Sequence, residues 1–381
     1  MKPLQGVRIL DLSRLVPGPY CTRLLCDMGA EVIKVEEPGR GDYIRSLPPY
    51  VNDVSVAFEL LNHGKKSITL NLEKQKGQEI LRKLVASADV FLESFRPGTT
   101  QSLGCDFETI RKSNPQIVYC SLTGFGQTGP YKDLPGHDIN VTAISGFLSL
   151  NGREPTVPSL QVGDLASGML AALTITTALF ARQRIKQAQY IDASILDVML
   201  SWLSLPLALQ LGGTLRMLGG DAPFYRLYRT RDSRLVALGA IEAKFWEGFC
   251  KLIDRPDLQP DQYSSEPRRT EVINAIQSVF LAKSADEWFK IMSKHGLPCT
   301  PILSLDEAVR DPQVRSRKMI LDKDSMEERK FAYLGNPCKI SGLGEVDLSP
   351  SPRLGEHSAT ILQEIGYSDT AIRGFAEDGV T

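Results

Sequence analysis

Four ionisable residues stand where side chains do chemistry: His137 and Asp138 in "GHDIN", Asp164 in "VGDLASG" and Glu242 in "GAIEAKFW". Each lies where a turn or strand pattern gives way to a helical one. Ile139, Ala143, Ile144, Phe147 and Leu148 recur at helical spacing, which puts His137 or Asp138 at a helix N-terminus. The positive end of a helix disfavours a second positive charge, so a histidine there stays neutral and available as a base. The same pattern also suits Asp138 as an ordinary N-cap with His137 as a bystander. Asp164 precedes the long apolar run from Leu165 to Ala181, where orphan N–H groups hold a carboxylate ionised, for a nucleophile, a base or a plain cap. Ala166, Ser167 and Gly168 beside it leave room for a ligand against the backbone. Glu242 follows the strand pattern "RLVALGA" and opens a helical one, again as cap or catalyst.

Ahead of His137 lies "TGFGQTGP", in which Gly124, Gly126 and Gly129 have the G-x-G-x-x-G spacing of a dinucleotide-binding turn after the strand pattern "QIVYCSL". Such a turn must open a helix, but Pro130 and Pro135 follow and "YKDL" between them has no helical period. It also belongs to the first βαβ unit, whose turn here is "LSRLVPGP". Glu36 and Glu37 end the second strand, where an acid meets a ribose hydroxyl in dinucleotide folds, or merely precedes the turn Pro38-Gly39. The glycines are therefore expected to turn the chain toward His137, and a nicotinamide cofactor is not expected.

Strand patterns at "GVRILDLS", "EVIKVEEP", "DVFLESF" and "QIVYCSLTG" alternate with helical ones at "PYCTRLLCDMGA", "QKGQEILRKLVASA" and "FETIRKS". Such alternation predicts an α/β fold, Rossmann-like in outline, with a parallel sheet between helices. Residues 1–200 are read as this large domain, 201–224 as a linker and 225–324 as a smaller α/β domain; the tail 325–381 is expected to return to the large one. The 381 residues carry 44 Lys and Arg against 45 Asp and Glu, so no global field draws the chain to nucleic acid or an anionic membrane. The run Leu165–Ala181 is short for a membrane span and is interrupted by Ser167, Thr174, Thr176 and Thr177, so a core helix is expected. Seven scattered cysteines without a C-x-x-C pair read as reduced thiols, neither a disulfide frame nor a zinc site. With no secretory pattern at the N-terminus and no peroxisomal address in "DGVT", a cytoplasmic location is expected.

"GHDIN", "VGDLASG", "GGDAPFYRLYRT" and "GAIEAKFW", collinear with "LQGVRILDLSRLVPGPYC", "NHGKKSITLNL", "FLESFRPGT", "YCSLTGFGQTGP" and "LGEHSATIL", resemble the family III CoA-transferase superfamily, and within it the α-methylacyl-CoA racemase branch. The resemblance covers nearly the whole chain. It implies an interlocked homodimer of large and small domains that binds an acyl-CoA thioester between them, with CoA as part of the substrate and no other cofactor. In racemase members the residues matching His137 and Asp164 act as acid and base. In transferase members the aspartate matching Asp164 is a nucleophile that passes through acyl-anhydride and thioester intermediates. His137 favours the racemase, because many transferases have another residue, such as Tyr, there. Glu242 is implied as a partner of His137, across the dimer. Arg40, Lys65, Lys66, Arg96 and Asp138 are implied near CoA or substrate, and Tyr225 at the acyl site. The chain departs from the family at Lys186 and Ala188, where glycines are usual, and at Asn71, where an aspartate is common.

Overall fold

The computed structural model describes residues 2–150, 152, 154–321 and 332–381. They form two compact units: residues 1–146, 157–201 and 315–381 make the first, and 147–156 with 202–314 the second.

The first unit runs β1 (Arg8–Asp11), α1 (Pro17–Asp27), β2 (Glu31–Glu36), a hairpin of β3 (Tyr50–Val51) and β4 (Val54–Ser55), α2 (Val56–Asn62) and β5 (Lys66–Thr69). It continues through α3 (Gln75–Val85), β6 (Val90–Glu93), α4 (Thr99–Ser102), α5 (Phe107–Ser113), β7 (Val118–Thr123), α6 (Asp138–Ile144), α7 (Val162–Ile185), β8 (Gln189–Ser194) and α8 (Ile195–Ser201). Six strands make one parallel sheet in the order β5-β2-β1-β6-β7-β8. From β1 the chain builds outward through β2 to β5, then crosses back to place β6 on the other flank of β1. The crevice beyond the C-terminal ends of β1 and β6 is thus a topological switch point, where α/β sheets bind ligands.

The strand patterns have a plain cause. β6 and β7 are buried along their whole length, as central parallel strands covered on both faces must be, and they read as near-continuous apolar runs. β5 had no strand reading: it is four residues long and begins with a lysine. The apolar helix α7 packs on the sheet through Ala171, Ile175 and Leu179, next to Val118 and Cys120 of β7. The C-terminal tail returns to this unit, where Ile361, Leu362 and Phe375 join the core of Leu10, Ile33 and Phe91.

The second unit contains α9 (Ser204–Leu211), β9 (Tyr225–Arg229), β10 (Leu235–Gly239), α10 (Ala243–Leu252), α11 (Arg268–Phe280), α12 (Ala285–Lys294) and β11 (Cys299–Pro301). Its three strands form an antiparallel sheet packed on Trp246, Phe249, Phe280 and Trp288 from the helices. Residues 202–224, expected as a linker, belong to this unit, and Arg216 hydrogen-bonds the Gly152 carbonyl at 2.8 Å. The return to the first unit begins at Arg315; the expected boundary at 324/325 lies outside the described residues.

Candidate active site

Two helix starts meet in the first unit. "TGFGQTGP" leaves the end of β7 as a turn, with Gly126 and Gly129 in the left-handed region at φ +82° and +87°. Asp192 of β8 anchors it by accepting the Gln127 N–H at 3.1 Å, and the next helix begins only at Asp138. His137 is the exposed N-cap of α6, and its backbone N–H donates to Asn140 Oδ1 at 3.0 Å. Asp138, next in the chain, turns its carboxylate onto the first turn of α7, where Oδ1 accepts the Asp164 N–H at 3.0 Å. Gly163 makes this approach feasible: a Cβ there would lie 3.0 Å from that same Oδ1 and 3.0 Å from Ile195.

This geometry corrects the expectation for Asp164. Among the described residues no backbone N–H donates to its carboxylate, and its own N–H is taken by the carboxylate of Asp138. Burial, joined by repulsion from Asp138, pushes the Asp164 carboxyl up to about 7. It can therefore hold or release a proton near neutrality, as an acid–base group must. Gly168 is also reassigned. A Cβ on it would meet the Pro17 carbonyl at 2.4 Å, so its smallness lets α7 close on α1 and leaves no ligand space.

The expected CoA-binding cations divide. Arg40 and Arg96 are exposed in the turns after β2 and β6, at the C-terminal edge of the sheet. Lys66 lies at the N-terminal end of β5 and pairs with Glu31, the first residue of β2, at 2.6 Å, so it occupies the opposite edge. Lys65 is fully buried: its ammonium donates to Thr22 Oγ1 at 2.7 Å, Asn62 Oδ1 at 2.9 Å and the Pro19 carbonyl at 3.0 Å, and pairs with Asp11 at 3.3 Å. With its donors spent inside the fold, Lys65 is structural. A cation unforeseen in the sequence stands at the crevice instead. Arg14 donates to the Tyr43 hydroxyl at 2.9 Å and lies over the rings of Tyr43 and Phe95, at 5.1 and 5.5 Å from their centroids. Its signal was its place in the turn after β1.

Glu242 and Tyr225 belong to the second unit. Glu242 is the exposed N-cap of α10, and its carbonyl accepts the Phe245 N–H at 2.9 Å. Tyr225 begins β9 and lines a groove of about 680 Å³ with Leu150, Leu218, Leu227 and Ala237.

The sheet order and crevice define a Rossmann-type α/β protein, in which a carboxyl poised near neutrality starts α7 and a histidine stands at the N-cap of α6. Residues 4–358 match CoA-transferase family III, and the chain belongs to that family. It is 34% identical to the succinyl-CoA:glutarate CoA-transferase of Mus musculus, over all of this chain and 90% of that one. It is also 34% identical to the α-methylacyl-CoA racemase of Homo sapiens, over 99% of this chain and 97% of that one. The solved structure of a CaiB/BaiF family protein from Brucella suis superimposes with a TM-score of 0.81 at 29% identity, covering 96% of this chain and 99% of that one.

Proposed function

We propose that the protein is an α-methylacyl-CoA racemase that interconverts the (2R) and (2S) forms of a 2-methylacyl-CoA by 1,1-proton transfer. One observation carries this reading: a histidine caps α6 directly before the aspartate that contacts the first turn of α7, where Asp164 titrates near neutrality. A thioester acidifies its α-hydrogen by delocalising the carbanion onto oxygen, but the proton remains too weakly acidic for an unaided side chain. One group, His137 or Asp164, takes that proton; the electron pair moves onto the thioester oxygen as an enolate, and the other group, protonated, returns a proton to the opposite face. The two exchange roles with the handedness of the substrate. The N–H groups of Val162 and Gly163, in the same turn as Asp164, are suited to the enolate oxygen, and such donors each contribute roughly 3 kcal/mol.

Arg14, Arg40 and Arg96 at the switch-point crevice are assigned to the CoA phosphates, and Tyr225 to the acyl group. Glu242 is assigned to orienting His137 from a second copy of the chain. Exposed apolar side chains support pairing with that copy: Leu173 and Phe180 on α7 and, in the second unit, Leu207 and Leu211 on α9. Six of the seven cysteines are buried free thiols, which supports a reducing, cytoplasmic setting. CoA enters as part of the substrate, and no resident cofactor is assigned.

The similarity to the glutarate CoA-transferase favours a second reading, in which ionised Asp164 attacks the thioester carbonyl and expels CoA as thiolate to leave a mixed anhydride. Incubation of one 2-methylacyl-CoA enantiomer without acceptor acid separates the two. The racemase equalises the enantiomers; retained configuration with a hydroxylamine-trappable acyl group on Asp164 establishes the transferase.

A further inference from the structure

A second carboxyl near neutrality lies at the switch point, and the proposed mechanism does not use it. Glu93 ends β6, is 2% exposed, and sits in a strand otherwise made of Val90, Phe91 and Leu92. Its Oε2 accepts the Phe95 N–H at 2.8 Å, and its Oε1 accepts the Ser121 hydroxyl of β7. Ser121 Oγ in turn accepts the hydroxyl of Tyr190, on the edge strand β8, at 3.1 Å. The turn that Glu93 holds is bound to the neighbouring one as well: Ser94 Oγ accepts the Arg14 N–H at 3.0 Å, and the Phe95 ring lies under the Arg14 guanidinium. These two turns, after β1 and after β6, are the walls of the crevice.

We infer that Glu93 is a positioning residue whose buried carboxylate holds the Ser94–Phe95–Arg96 turn, and with it Arg14, in the shape that receives the CoA moiety. The inference rests on the acyl-CoA reading above but not on the choice between racemase and transferase. An ionised carboxylate makes a charge-assisted bond to the Phe95 N–H, about twice as strong as that to a neutral acid, so protonation loosens the turn. Burial pushes the Glu93 carboxyl up to about 7, with Asp192 of β8 adding to the shift against the Ser121 and Phe95 hydrogen bonds. The other titratable groups that face it are Tyr119 and Cys120 on β7, Tyr190 on β8, and Cys105 ahead of α5. Proton uptake need not strand a partner. The acid donates to Ser121, which then donates to Tyr190, and the hydroxyl chain reverses toward the exposed edge of the sheet.

The test is calorimetric binding of CoA itself to the full chain between pH 6 and pH 8.5, with Glu93→Gln and Tyr190→Phe alongside. At pH 8, Glu93→Gln binds CoA about tenfold more weakly, the order expected when one charge-assisted bond no longer preorganises the site. The difference from the unmodified protein shrinks toward pH 6, where Glu93 itself is neutral. Tyr190→Phe removes a hydroxyl that supports Ser121, so it keeps the affinity at pH 8 but moves the midpoint of the pH profile upward. Equal affinity and equal pH dependence in Glu93→Gln overturn the inference. Should that variant fail to fold, an unmoved midpoint in Tyr190→Phe overturns it instead. Absence of CoA binding by the unmodified protein is a separate result, which removes the acyl-CoA reading on which the inference stands.

Discussion

Buried charge at the C-terminal edge of the large sheet takes opposite forms on its two flanks. On the β1–β2 flank, carboxylates face ammonium groups: Asp11 lies 3.3 Å from Lys65, and Asp42 lies 2.8 Å from Lys34, which also donates to the Ser13 carbonyl at 2.9 Å. Burial alone would raise the Asp11 carboxyl, but Lys34, Lys65, Ser13 and Thr22 outweigh it and hold it at about 2. On the β6–β7 flank and at the start of α7, Glu93 and Asp164 are raised to about 7 chiefly by desolvation, with a further push from the carboxylates of Asp192 and Asp138 and no ammonium group to oppose it. Carboxyl groups taken out of water thus serve two ends. Matched charges stay at fixed ionisation and support the loops, whereas unmatched ones can exchange protons at the candidate site.

Removing Asp164 or its proposed acid–base partner His137 has the largest expected effect. Asp164→Asn and His137→Gln each lower α-proton exchange by about two to four orders of magnitude with the fold retained, the range set by loss of one general acid–base group. Breaking the matched flank is next and acts on stability. Lys65→Met leaves the buried Asp11 carboxylate with Lys34 as its remaining ammonium and removes the donor to Asn62 Oδ1 and the Pro19 carbonyl, and it costs about 3 kcal/mol of unfolding free energy, read from the denaturant midpoint. Its neighbour Lys66, paired with Glu31 at the half-exposed opposite edge, is the control: Lys66→Met costs under about 1 kcal/mol.

The unmatched flank also has a stability signature. The Asp164 carboxyl titrates near 7 in the fold against an ordinary 3.8, so the native state holds the proton more tightly than the unfolded chain. Its contribution is complete below about pH 4 and is lost as the pH rises to about 7. Asp164→Asn removes that loss and is expected to stabilise the protein by about 1–3 kcal/mol at pH 8, checked by thermal melts across pH. The smallest effect sharpens the comparison. Asp138→Asn keeps an oxygen for the Asp164 N–H but removes the repelling charge, so the limb of the pH–rate profile that reports Asp164 moves to lower pH.

Much of this was legible in the sequence because it depends on periodicity. The βαβ alternation, the apolar α7 and the helix start at "GHDIN" follow from local spacing, and two prolines ruled out the dinucleotide turn. What depends on partners distant in the chain was not legible. Lys65 and Lys66 are adjacent, yet one is buried on Asp11 and the other half-exposed on Glu31, because Asp11 and Glu31 reach them only through the sheet. Asp164 looked like a carboxylate fixed by backbone amides; burial in the folded chain, joined by the approach of Asp138, 26 residues earlier, raises its carboxyl instead. Gly168 looked like ligand space and is a helix contact. Glu93 did leave a signal, a carboxylate inside an apolar strand, but its meaning needed Ser121 and Phe95.

In the proposed mechanism His137 and Asp164 move a proton on and off C2 of an acyl-CoA. The most direct measurement is deuterium incorporation at C2 of a single 2-methylacyl-CoA enantiomer in deuterated water, without an acceptor acid, followed by mass spectrometry and chiral analysis. Incorporation of one deuteron together with convergence to equal amounts of both enantiomers is expected, with loss of both in His137→Gln and Asp164→Asn. A substrate that keeps its α-hydrogen and its configuration while the protein binds it contradicts the account.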